Sequence, residues 1–356
     1  MLKLRFLILI FCLACANVFA GEEAVVSLFD GTPEAKGATP EQSQTKEQES
    51  GGLFSFLNFK LPDNWFGSDP KENPIDETIK LADQGNVDAQ LFLGYSYLYG
   101  ENGLPTDYEK SFEYYGKAAL QNNAIGLNNL GSLYYGGIGV QRSSAKAGIL
   151  FKKAAELGNL DAAVNLGFMH ISGYGAKQDA RLAIDYFEKA SASENAAARF
   201  MTGYAYYKGV FRKKDYIKAA PLIKSAADLG FDEAQILIAE MYMNGHGFPQ
   251  NYQSAVKYLK AAASQGRTDA MMILADILSS GQKYTQDIGF SHILYNLASV
   301  RGVAGAAEKR KALEAKMKID VIIQAQNSAA GYVEQVSPIT SYIRQTFGDN
   351  VTSYFK

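Results

Sequence analysis

Cysteine is nearly absent from this chain: its 356 residues hold two, Cys12 and Cys15, both within the first twenty positions. Loss of that leading stretch would leave none, which excludes a disulfide framework and any thiolate zinc site. Histidine occurs three times, at His170, His246 and His292. No two of these stand at ligand spacing, so no metal and no cofactor is expected. Excess charge is missing as well. The 35 Lys and Arg against 37 Asp and Glu give a net charge of -2, whereas a general nucleic-acid binder clusters positive charge. The one strongly apolar run, FLILIFCLACA, is too short to span a bilayer. There is no phosphate loop, no G-x-S-x-G and no dinucleotide fingerprint. Two S-x-x-K matches, Ser143 to Lys146 and Ser254 to Lys257, lack the S-D-N and K-T-G companions of a serine nucleophile. Both sit at or near the start of a repeated helix, and Lys146 shares its column with Lys110 and Lys218. No catalytic residue is assigned, and no enzyme is expected.

What is present begins with an export signal over residues 1–20. Lys3 and Arg5 form a positive start, an apolar core follows, and the small-residue end VFA precedes Gly21. This places the mature protein in the periplasm or outside the cell. A lipid anchor at Cys15 is disfavoured, because Cys12 stands where such signals usually carry leucine. Residues 21–73 are rich in Gly, Pro, Ser, Thr, Gln and Glu and read as a disordered linker. One strip inside it, over 52–66, is different: it holds Phe54, Phe56, Phe59, Trp65 and Phe66. It reads either as a cap on the end of the following domain or as a docking motif for a protein or a membrane surface.

From Pro74 the chain repeats. A small residue recurs at Gly94, Gly131, Gly167, Gly203, Ala239 and Ala275, at intervals of 37, 36, 36, 36 and 36. A second marker, Gly100, Gly137, Gly173, Gly209, Gly245 and Gly281, keeps the same beat, as do the alanines of KAA-like segments. Three markers in one phase define a repeat protein. Each unit predicts a first helix, an elbow at the marker glycine, and a second helix started by Asp107, Ser143, Asp179, Asp215, Asn251 or Asp287. Such residues accept hydrogen bonds from the first-turn amides, and helices of about a dozen residues draw their stability from stacking.

Segments such as AQILIAEMYMNGHGFPQNYQSAVKYLKAAASQG closely resemble Sel1-like repeats, relatives of the tetratricopeptide repeat. The resemblance implies an all-α fold, a right-handed α-solenoid of about six helix-turn-helix repeats with helical caps, over residues 74–318. The repeats fall near 87–123, 124–159, 160–194, 195–230, 231–266 and 267–302, with a cap at 303–318 and a C-terminal helix and tail at 319–356. The fourth and sixth copies, GVFRKKD and GQKYTQD, lack the elbow's second glycine, so those elbows are expected to bend differently. Lys309, Arg310, Lys311, Lys316 and Lys318 read as the solvated face of the cap. The segment after it breaks at Pro338 and has room for one more short helix.

The resemblance further implies a scaffold or adaptor; exported bacterial members are implicated in envelope assembly and in contacts with host cells. In tetratricopeptide-like arrays, the first-helix face opposite the packing columns lines a concave groove. Here that face holds Tyr95, Ser132, Phe168, Tyr204, Glu240 and Asp276, with Leu91, Asn128, Val164, Phe200, Ile236 and Met272. Aromatic anchors at one end and acidic residues at the other suit an extended peptide or partner helix with at least one Lys or Arg. The alternative for these residues is contact with the neighbouring repeat. Two functions stay open: an exported adaptor for a protein, and an envelope-assembly protein that grips polysaccharide or peptidoglycan machinery through aromatic stacking on sugars.

Overall fold

The computed structural model describes residues 74–347 together with Thr352. The export signal, the linker and the strip of Phe54, Phe56, Phe59, Trp65 and Phe66 lie outside the described residues. Among the described residues there is no strand, and the helices follow one another in pairs. They are α1 (Pro74–Asp83), α2 (Val87–Tyr99), α3 (Tyr108–Leu120), α4 (Ala124–Gly136), α5 (Ser144–Glu156), α6 (Leu160–Ser172), α7 (Ala180–Ala190) and α8 (Ala196–Lys208). Then come α9 (Tyr216–Asp228), α10 (Asp232–Asn244), α11 (Tyr252–Ser264), α12 (Thr268–Ser280), α13 (Ile288–Val300), α14 (Ala306–Glu314), α15 (Ile319–Ala330) and α16 (Pro338–Phe347).

The second helices begin where the polar residues of the sequence say they should. Asp107, Ser143, Asp179, Asp215, Asn251 and Asp287 each accept a hydrogen bond from a first-turn amide. The first helices use a set of caps that periodicity alone does not reveal. Asn86, Asn123, Asn159 and Asn195 accept from Ala89, Gly126, Ala162 and Ala198. Each cap contributes about 1 kcal/mol. The column then changes: Phe231 and Arg267 start α10 and α12 with no side-chain cap.

The described residues fall into two compact units, divided between Thr202 and Gly203. In the first, each of α1 to α6 packs on its successor. Its core joins Leu91, Tyr115, Ala118 and Leu133 to partly buried Val87, Tyr95, Leu98 and Phe112. The small column lets rings approach the backbone: a Cβ at Gly167 would lie 2.7 Å from the fully buried Phe187 ring. In the second unit, α9 to α13 stack in the same way, and α13 packs on both α14 and α15.

The elbows show how one repeat is seated on the one before. At Gly139 the backbone runs so close to the start of α3 that a Cβ would stand 2.1 Å from the Tyr108 carbonyl oxygen. Gly175 and Gly247 make the same approach to Ser144 and Tyr216. Of the two elbows without this glycine, the fourth keeps the left-handed backbone, with Phe211 at φ 54°, while Lys283 in the sixth is not among the positive-φ residues. The expectation of a different bend therefore holds at the backbone of the sixth elbow and fails at the fourth. A left-handed phenylalanine costs about 1–2 kcal/mol, and Phe211 is 41% exposed. Phe211→Gly is accordingly expected to raise stability by about 1 kcal/mol in urea unfolding, part of the relief being lost to glycine's unfolded-state entropy.

The cap is less purely solvated than its charge pattern implies. Lys309 pairs with Asp276 at 2.6 Å, and Arg310 reaches Asn296 and Glu314. The chain leaves α15 before Pro338, which then opens the short helix expected in this segment: it is the first residue of α16, a position where proline's missing N–H costs nothing.

Candidate functional site

The two first-helix columns differ in exposure. In the column three residues before the small marker, Leu91, Asn128, Val164 and Phe200 are all buried, while Ile236 and Met272 are half-buried. Phe168, from the other column, is buried against Phe187, with ring centroids 5.0 Å apart. These five buried side chains pack within the array and offer no surface to a partner. The reason is stacking: residues half a turn from the packing stripe of one helix meet the next helix of the row. Asn128 is one such contact, its Oδ1 accepting from Asn165 Nδ2 at 3.0 Å.

The other members of the face keep partial or full exposure. Ser132 and Asp276 are exposed, and Tyr95, Tyr204 and Glu240 are half-buried. Both acidic members are engaged. Tyr207 donates to Glu240 Oε1 at 2.8 Å, and Tyr295 donates to Asp276 Oδ1 at 2.6 Å. Burial, reinforced by these carboxylates, raises both phenol pKa values, that of Tyr295 to about 12. A phenol whose pKa is raised in this way keeps its proton and donates it as a hydrogen bond to the carboxylate, so each pair is a structural rung.

The histidines are joints. His246 stacks on Tyr216 with centroids 4.2 Å apart, and His170 stacks on Tyr186 at 5.6 Å. His292 is fully buried in α13, its Nε2 2.8 Å from Glu314 Oε1 of the cap. Among the described residues no group of three His, Cys, Asp or Glu gathers to hold a metal ion, and no helix is long and apolar enough to cross a membrane.

The resting place of the tail is a site that no motif or periodicity marks. After α15, residues 332–337 run across the turns that join second helices to first helices. Tyr332 Oη bonds the carbonyls of Ala263 and Ser264, and Gln335 N donates to Ser264 O at 2.8 Å. Ser337 N donates to Gln265 Oε1 at 3.0 Å, and Ser337 Oγ to Gly230 O at 2.8 Å. Arg301 holds Glu334 at 2.7 Å. Thr340 Oγ1 accepts from Asp232 N, the first amide of the uncapped α10, and so replaces the missing cap. Arg344 pairs with the buried Asp232, which Arg267 also reaches at 3.4 Å. Ile339 and Ile343 are buried beside them. Burial pulls the Arg267 guanidinium down, but Asp269, Asp232 and Glu233 outweigh it and hold it above the usual range.

Comparison with known proteins agrees with the repeat architecture. A family model described as the Sel1 repeat matches 87–123, 124–159, 160–195, 196–231 and 232–266, together just over half of the chain. The sixth helix pair lies beyond these segments, yet α12 and α13 pack as the earlier pairs do. One similar solved structure is described as a protective antigen present in uropathogenic Escherichia coli strains, displaying an SLR fold. It is 26% identical, with a TM-score of 0.61, over 72% of this chain and 56% of that one. The chain thus spans little more than half the length of that relative. A Sel1 repeat protein from Oxalobacter formigenes is 24% identical with a TM-score of 0.48, over 72% of this chain and 98% of that one. No curated protein matches.

Proposed function

The chain belongs to the Sel1 repeat family, and from that premise we propose that it is a non-enzymatic scaffold, exported from a bacterial cell, that binds a partner polypeptide. The observation that carries this reading is the tail: stacked repeats already hold a non-helical segment of polypeptide through backbone carbonyls, backbone amides and a glutamine side chain. A surface built this way grips polypeptide as a class, because main-chain groups supply much of the bonding and side chains set the preference. Export is supported by the positive start, short apolar core and small-residue end of residues 1–20. The description of one solved relative as a protective antigen is consistent with a chain that meets a host.

The partner contacts the first-helix residues that keep exposure, Tyr95 and Ser132 in the first unit and, separately, Tyr204, Glu240 and Asp276 in the second. Tyrosine supplies large contact area with little rotamer entropy to lose. The test is capture from an envelope extract, and from a host-cell extract beside it, by the immobilised protein and by its Tyr95→Ala/Tyr204→Ala variant. A specific partner is expected on the parent protein and to be depleted at least about fivefold on the folded variant. Equal capture by both sinks the assignment of this column. Retention on purified envelope polysaccharide with no captured protein would instead favour the sugar-stacking function.

A further inference from the structure

The tail's seat has a counterpart in the other unit. In the seat, Gln265 Nε2 donates to Gly230 O at 3.0 Å and to Gln235 Oε1 at 2.9 Å, and Gln235 Nε2 donates to Ala227 O at 3.3 Å. Near the start of the array, Gln121 Nε2 donates to Gly85 O at 3.0 Å and to Gln90 Oε1 at 2.9 Å, and Gln90 Nε2 donates to Ala82 O at 2.8 Å. The other four repeats carry no glutamine in these two columns. The pair is therefore a specific construction made twice, not a by-product of the repeat.

At the tail's seat the remaining amide oxygen, Gln265 Oε1, accepts Ser337 N–H, and Gly230 O takes the Ser337 hydroxyl. At the counterpart, no donor among the described residues reaches Gln121 Oε1, and Gly85 O accepts from Gln121 alone among side chains. We infer that the ledge formed by Gly85 and Gln121 docks an extended segment of a partner protein carrying a Ser or Thr, with an aliphatic residue three positions before it. The hydroxyl residue's N–H bonds Gln121 Oε1 and its Oγ bonds Gly85 O, as Ser337 does at the occupied seat.

The aliphatic preference follows from what replaces the tail's polar contacts. Where Arg301 receives Glu334, the open ledge has Leu157, 51% exposed; where Ser264 lies under the tail, it has Leu120, 86% exposed. Covering such side chains is favourable by the area removed from water. The same differences exclude the chain's own tail, and the tail of a second copy, as the occupant. Asn122 stands where Gly266 makes room: a Cβ at Gly266 would lie 2.5 Å from the Glu334 carboxyl carbon. Leu157 offers Glu334 no cation, and Val87, in place of Asp232, offers Arg344 no anion.

This deepens the scaffold reading by naming the partner's chemistry, at a surface apart from Tyr95 and Tyr204, so either assignment can fail alone. The probe is a fluorescent synthetic peptide, Gly-Tyr-Val-Leu-Gln-Val-Ser-Pro-Ile-Thr, which copies residues 331–340 with leucine at the place of Glu334. Titrated against the whole chain, it is expected to bind saturably, with affinity about tenfold weaker for Gln121→Leu and for the peptide with alanine at its serine. The double variant Asn122→Gly/Leu157→Arg is expected to reverse the preference, binding the peptide with the native glutamate more tightly than the leucine one. No saturation by about 1 mM peptide overturns the inference, as does binding unmoved by Gln121→Leu, which would put the peptide on the tail's own seat or elsewhere.

Discussion

Alanine at Gly139 is expected to cost the protein about 3 kcal/mol, a large loss for a single methyl group. Two terms add. The backbone there has φ 65°, a conformation that costs an L-residue about 1 kcal/mol or more. The new Cβ would stand 2.1 Å from the Tyr108 carbonyl oxygen and 2.5 Å from its carbon, so the second repeat must lift off the first. Backbone is the least yielding neighbour for an inserted methyl, and overpacking of this kind costs about 1–3 kcal/mol. Gly158→Ala provides the control. Its φ is 92°, with nothing within 4 Å of the built Cβ, so it carries only the conformational part. Urea unfolding of the two variants separates the terms: a Gly139→Ala loss at least about twice that of Gly158→Ala identifies the seating contact. Equal losses would mean that the elbow yields at no cost.

The second large effect is expected at the tail. Arg344→Met should destabilise the protein by about 2–3 kcal/mol, because it leaves Asp232, 1% exposed, with the Glu233 amide and, as its cationic partner, only the longer contact to Arg267. The figure sits below that for a fully buried pair, since Arg344 is partly exposed and Arg267 remains. Adding Asp232→Asn should restore part of the loss by removing the stranded charge, giving a coupling of opposite sign to the single costs. Hydrogen exchange localises the effect: amides of α16 should exchange faster in Arg344→Met while those of α4 to α6 stay unchanged. Uniform loss of protection would show that the tail is an integral part of the whole array's stability instead of a strap on one unit.

Much of this fold was legible because repetition multiplies weak signals. A single Asp107 is a weak helix start; the same kind of residue six times at a 36-residue beat identifies every second helix, and all six cap as expected. The asparagine column at Asn86, Asn123, Asn159 and Asn195 carried equal information about the first helices, and its break at Phe231 and Arg267 pointed to something unusual there. The face assignment was half legible. Helical periodicity tells which residues share an arc, but not how far the next helix overlaps that arc, so Val164 and Phe200 turned out buried while Tyr95 and Tyr204 kept surface. The tail's seat was not legible at all. Ser337 meets Gly230 across 107 positions, through a carbonyl that every residue type possesses, and no pattern in a sequence marks which carbonyl is used. Only the two glutamine pairs hint at it, and they acquire meaning once one of them is seen occupied.

The central claim is that this array binds a polypeptide through its first-helix column. The most direct test replaces exposed Ser132 with a photoreactive benzoylphenylalanine in the whole chain and irradiates it in envelope and host-cell extracts. The account predicts a discrete polypeptide adduct that disappears when excess unlabelled protein competes, and that is missing when the label sits at exposed Lys152 on α5. Equal, uncompeted labelling from both positions, or no polypeptide adduct at Ser132, would contradict it.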